Sequence, residues 1–164
     1  MEKQIVFLSQ RQALSLPIKK IEKIIQWTEP IPIPETSQFV LGVIDYNETI
    51  LPVIDLNQRL YAQETVRNND LKIIVVQWKD ECLGLVVDSI KGIVDFSVEQ
   101  FEMMNNDVTF DKNYIDSFVR TKEGIVIQLN IDALFEGNIM LDKLLRSLEV
   151  ESSETSSELS EDDE

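Results

Sequence analysis

The sequence predicts a mainly β protein of two small five-stranded β-barrel subdomains, with short helices and a C-terminal helix. Three observations carry that expectation: apolar segments at hairpin spacing, an internal repeat, and enough strands in each half to close a small barrel. Ile5 to Leu8, Leu14 to Ile18, Phe39 to Ile44, Ile50 to Ile54, Leu71 to Trp78 and Cys82 to Val87 are short, rich in β-branched residues and separated by polar turns. Ile115 to Arg120 and Ile125 to Leu129 continue the series. Branched side chains pack well on a pleated surface, so these segments read as strands.

The repeat gives the strands an order. At an offset of 69, Ile5 to Ile25 falls on Ile74 to Val94 without a gap, pairing Leu14 with Leu83, Leu16 with Leu85, Ile21 with Ile90 and Ile24 with Ile93. At an offset of 75, Gly42 to Leu60 falls on Ser117 to Phe135, pairing Ile44 with Val119 and Ile50 with Ile125. Both halves therefore run hairpin, third strand, linker, second hairpin, short helix. Each half is expected to close its own barrel, with a groove between the two that suits a helix or peptide.

Taken in order, the first hairpin turns at Ser9 to Gln12, and the third strand carries Ile21, Lys23 and Ile24. Prolines at 30, 32 and 34 fix φ and withhold backbone donors, so Thr28 to Pro34 is an extended surface connector rather than a ladder strand. Asp45-Tyr46-Asn47-Glu48-Thr49 joins two strands as a turn, since Asn and Asp tolerate the backbone angles required. Asp55 and Asp88 each follow an apolar strand. They are expected to cap a turn or helix rather than to act as an acid and base. Ile131, Leu134, Phe135, Ile139, Leu141, Leu144, Leu145 and Leu148 recur at near-helical spacing with a break at Gly137, which predicts a short helix and then a docked C-terminal helix. Residues 149–164 hold eight acidic and no basic residues among six Ser and Thr, a composition that repels itself and reads as a disordered tail. The folded domain is thus expected over 1–148. The tail is expected to solubilise the chain or to serve as a docking or modification segment, with Ser160 followed by Glu161, Asp162 and Asp163 open to phosphorylation.

Composition narrows function. The chain has no His, so a Ser-His-Asp triad, a Cys-His pair and the usual zinc sites are excluded. Cys82 is alone, and its apolar strand makes it a small hydrophobe. The five glycines are too dispersed for a phosphate loop, and no cofactor or metal is expected. A net charge of −15 opposes nucleic-acid binding. No apolar run approaches the roughly 20 residues of a membrane-spanning helix, and Met1 to Gln4 does not open a signal peptide. Neither membrane insertion nor export is expected, and the expected compartment is the cytoplasm.

Phe39-Val40-Leu41-Gly42-Val43-Ile44, followed by Ile50-Leu51-Pro52-Val53-Ile54-Asp55-Leu56, resembles the signature of the CheW family, adaptors of chemosensory arrays. That signature is a Gly-Val strand, an exposed turn and a Pro-Val-x-Asp-Leu strand. Leu83-Gly84-Leu85-Val86-Val87-Asp88 is similar to the family's second hallmark, Gly-x-x-Val-Asp, and the likeness spans about residues 4 to 136. The resemblance implies two SH3-like barrels and a non-enzymatic scaffold. Its implied partners are the regulatory domain of a CheA-like histidine kinase and the cytoplasmic helical tips of chemoreceptors. Two departures stand out. Asp45-Tyr46-Asn47-Glu48 replaces the usual Asn-Leu-Arg-Gly turn, exchanging a bidentate cation for an amide beside carboxylates, and Lys23 stands where Glu is common. The expected partner-binding residues are Ile21, Lys23 and Ile24 in the third strand, Asp45, Tyr46, Asn47 and Glu48 in the turn, and Val87 and Ile90 facing the groove. Two alternatives stay open: a related scaffold in pilus-driven motility or another kinase pathway, and a small ligand-binding or catalytic barrel.

Overall fold

Alternation along the strands decides where the cores lie. In the run Ile73-Ile74-Val75-Val76 every side chain is buried, because the strand is central in its sheet and packs on both faces. Ile73 and Val75 enter the interior of one sheet, whereas Ile74 and Val76 enter the junction with the other. The computed structural model describes residues 3–102, 114–138 and 141–147. Its strands are β1 (Lys3–Ser9), β2 (Gln12–Pro17), β3 (Ile21–Gln26), β4 (Val40–Tyr46), β5 (Thr49–Asp55), β6 (Lys72–Trp78), β7 (Glu81–Val87), β8 (Ser89–Asp95), β9 (Phe101–Glu102), β10 (Ile115–Thr121) and β11 (Gly124–Leu129). Helix α1 (Leu56–Tyr61) follows β5 and α2 (Ile131–Leu134) follows β11. Residues 141–147 are also helical.

The strands form two sheets, ordered β8-β1-β2-β11-β10-β9 (sheet one) and β3-β6-β7-β5-β4 (sheet two), consistent with two SH3-like subdomains. The halves of the sequence do not each close a barrel, as the repeat alone had suggested. Hairpin β1–β2 joins the second half's β8, β10 and β11, while hairpin β6–β7 joins the first half's β3, β4 and β5. The exchange is symmetric. Ile21 pairs with Val76 as Ile90 pairs with Phe7, and the parallel contact of Val53 with Gly84 recurs as Gln128 with Ser15.

Among the described residues, eighteen buried ones, drawn from both sheets and the helices, form the junction between them. The interiors of sheet two and sheet one hold seven and four of the described residues, so the junction is the principal core. Leu141 and Leu145 enter it from the helical residues 141–147, and Asn138 accepts a hydrogen bond from the Leu141 N–H at 2.8 Å. Ile139, Leu148, the 148/149 boundary and the acidic tail lie outside the described residues.

Several local expectations shift. Ile18 leaves the second strand for a 3-10 turn, Ile18–Lys20, that leads into β3. Asp45 and Tyr46 belong to β4, and only Asn47 and Glu48 form the turn, both at positive φ as a two-residue hairpin requires. The proline connector supplies one bridge, with Ile31 and Val43 exchanging backbone hydrogen bonds of 2.8 and 3.0 Å.

Candidate functional site

The β4–β5 hairpin brings the turn beside β3. In β3 the register shifts between Ile21 and Lys23, leaving Glu22 as the extra residue of a bulge. Glu22, Tyr46 and Asn47 then line one cavity of about 290 Å³ at the end of sheet two, together with Ile50, Asp80 and Cys82. This mouth is acidic. The Cys82 thiol lies 3.0 Å from a Glu22 carboxylate oxygen. Burial, reinforced by that carboxylate and by Glu81, pushes its pKa up to about 12. Burial, with Glu22 second, likewise holds the Tyr46 phenol above its ordinary value. Both groups stay protonated at neutral pH, so the cavity offers donors and carboxylates but no nucleophile.

The residues expected to meet a partner do not form one surface. Lys23, Asp45, Asn47 and Glu48 are exposed, and Tyr46 is half-buried on the core of sheet two. Ile21, Ile24 and Ile90 are half-buried and pack on the junction, so each offers a partner only part of its side chain. Val87 is fully buried in the junction and faces no groove. Alternation explains this: Val87 continues Leu83 and Leu85 on the face of β7 that meets sheet one.

Asp55 and Asp88 are brought into one hydrogen-bonded network, buried at Asp55 and partly exposed at Asp88, that joins the sheets. Asp55 caps α1, accepting from the Gln58 N–H at 3.3 Å, and also accepts from the Thr65 N–H at 2.8 Å and the Thr65 hydroxyl at 2.5 Å. Asn57 accepts from the Ser9 hydroxyl and donates to Thr65 and Asp88, while Asp88 accepts from the Gln10 N–H of the first hairpin turn at 2.9 Å. Asp88 therefore anchors the neighbouring hairpin rather than capping a helix. Donors occupy both carboxylates, which is a structural role. Between the sheets runs an open furrow of about 550 Å³ bordered by Lys20, Trp78, Lys79 and Asp132, and Lys20 bridges to Asp132 across it at 3.0 Å. Sequence reasoning missed these residues and also Glu22 and Asp80, because they meet only through pairing between distant strands. Among the described residues no cluster of three or more Cys, Asp and Glu is arranged to hold a metal, and no helix is long and apolar enough to cross a membrane.

Comparison with known proteins places this architecture. The CheW-like domain model matches residues 3–138. The chemotaxis protein CheW of Bacillus subtilis is 27% identical over 143 residues, covering 87% of this chain and 88% of that protein. The chemotaxis protein CheW of Thermotoga maritima is 30% identical over 128 residues, covering 76% and 82%. Among solved structures, the scaffolding protein TtCheW from Thermoanaerobacter tengcongensis superposes with a TM-score of 0.75 at 26% identity, covering 84% of this chain and 94% of that one. With a family match over most of its length and the exchanged double sheet to carry it, the chain belongs to the CheW-like domain family.

Proposed function

We propose that this chain is a chemosensory adaptor that couples chemoreceptors to a CheA-type histidine kinase in the cytoplasm, without chemistry of its own. The observation that carries the reading is a set of exposed polar residues on sheet two, Lys23 on β3 and Asp45, Asn47 and Glu48 at the β4–β5 hairpin, borne on strands whose other side chains pack on the cores. Membership of a family whose relatives are named as chemotaxis and scaffolding proteins supports the adaptor role. The kinase regulatory domain docks at β3 and the turn. Because carboxylates flank the turn, the cognate kinase surface presents Lys or Arg there. The receptor tip, a helical hairpin, takes the furrow between the sheets, where the aliphatic stems of Lys20 and Lys79 lie beside the carboxylates of Asp132 and Glu136 and give it an amphipathic bed.

The test is direct binding between the full chain and cognate kinase and receptor fragments. Lys23→Glu and Asn47→Arg each change the Kd for the kinase domain about two- to fivefold, the range of one exposed charge, with an unchanged melting temperature. Failure of both fragments to bind the wild-type chain overturns the reading.

A further inference from the structure

The internal repeat matches the interiors of the two sheets position for position, and one layer differs in chemistry. In sheet one Gln4, Ser15, Ser117 and Gln128 lie on the inner face, by alternation with Val6, Ala13, Val119 and Val126 of its apolar core. Strand pairing lays them across four adjacent strands. Ser15 of β2 stands opposite Gln128 of β11, and Gln128 opposite Ser117 of β10. Gln4 lies on β1, two residues before Val6, the partner of Ser15. The equivalent positions in sheet two are Ile73, Gly84, Gly42 and Val53 in the same register, Val53 pairing with both Gly84 and Gly42 and Val75 with Gly84. A layer with no polar side chain in sheet two is polar throughout in sheet one.

Polar groups sealed from solvent need hydrogen-bond partners. Ser117 has one, since its hydroxyl donates to the Gln128 Oε1 at 2.6 Å. Gln4 and Ser15 are 1% and 0% exposed, yet neither end of the Gln4 amide nor the Ser15 hydroxyl meets a protein partner among the described residues. Leaving one such group dry costs about 1–3 kcal/mol, so three together would consume much of the stability of a small domain. The two side chains are also neighbours. In sheet two a Cβ built on Gly84 would fall 2.9 Å from the Ile73 Cγ2, so the side chain at the Ile73 position leans over the Gly84 position. Gln4 and Ser15 occupy those same two positions in sheet one, on a diagonal that a long side chain can span.

We propose that Gln4 and Ser15 form a binding site for internal water inside sheet one. One water accepts from the Ser15 hydroxyl and donates to the Gln4 Oε1, and a second, hydrogen-bonded to the first, accepts from the Gln4 Nε2. The site depends on the exchange of hairpins. Gln4 and Ser15 reach sheet one on β1–β2, whereas β6–β7 in that place would bring Ile73 and Gly84, which have no polar side chain to offer. Water therefore joins the hairpin supplied by one half of the sequence to the polar layer supplied by the other, and sheet two keeps a dry interior. The inference stands apart from the adaptor reading, since neither kinase nor receptor enters it.

The test is oxygen-17 magnetic relaxation dispersion of the full chain, which detects water held for longer than the protein takes to tumble and is blind to exchanging hydroxyl protons. The wild type is expected to hold about one or two more long-lived waters than the double variant Gln4→Leu, Ser15→Ala, in which both polar side chains are replaced by apolar ones. Circular dichroism melts confirm that the variant is folded. A second measurement needs no variant: in the wild type, the Gln4 side-chain amide protons are expected to show nuclear Overhauser contacts to water, with the sign of water that tumbles with the protein. The proposal is overturned by a folded double variant that retains as many long-lived waters as the wild type. It is equally overturned by Gln4 amide protons that contact protein groups alone and show no contact to water.

Discussion

Cys82 shows how far one residue's surroundings reset its chemistry. Its thiol pKa is raised from 9.0 to about 12, first by burial and then by the hydrogen bond to Glu22. The sign follows directly: with the folded value above the unfolded one, the thiol's contribution to stability is complete below about pH 9 and is lost as pH rises toward 12. At about pH 9, alkylation of Cys82 in the native chain is therefore expected to run at least about tenfold slower than in the urea-unfolded chain, which thiol titration measures directly. Equal rates would show that the thiol is neither buried nor held by Glu22. The sequence marked Cys82 as a small hydrophobe from its apolar neighbours, and that was legible. Its carboxylate partner was not, because Glu22 lies 60 positions away and meets it only across β3, β6 and β7.

Among the elements, β4 depends on the proline connector lying over it. Gly42 has φ +146, and a Cβ built there would fall 2.0 Å from the Ile31 carbonyl oxygen, so a side chain at this point drives the connector off the strand. Gly42→Ala is expected to cost about 2–4 kcal/mol, from backbone strain together with the loss of both hydrogen bonds between Ile31 and Val43. Chemical denaturation measures it, and a cost under about 0.5 kcal/mol would show that the connector does not rest on β4. The prolines made the connector readable as extended and exposed. That Ile31 returns to pair with Val43 was not readable, since a single bridge leaves no periodicity in the sequence.

At the scale of the molecule, the exchange of hairpins makes two barrels one cooperative unit. Hairpin β1–β2 completes the sheet of the other half, and the network from Ser9 through Asn57 to Asp88 ties the crossing together. A fragment of residues 1–69 thus lacks both β6 and β7, the strands that join β3 to β5 in sheet two. That fragment is expected to be unfolded by circular dichroism, and the intact chain to melt in one transition. A folded fragment would mean that each half closes on itself. The alternation of apolar residues and the register of the repeat depend on local spacing, so the main strands, the duplication and the pseudo-symmetry are legible in the residues alone. Which hairpin entered which sheet was decided only by tertiary structure. The repeated hairpins Ile5 to Leu16 and Ile74 to Leu85 carry nearly the same apolar pattern and fit either partner. Burial of Ile5, Phe7, Ile74 and Val76 in one shared junction, together with the short turn from β2 to β3, selects the exchanged arrangement. The same pairing of distant strands gathers Glu22, Asp80 and the β4–β5 turn around one cavity, so that acidic site became visible only in the fold.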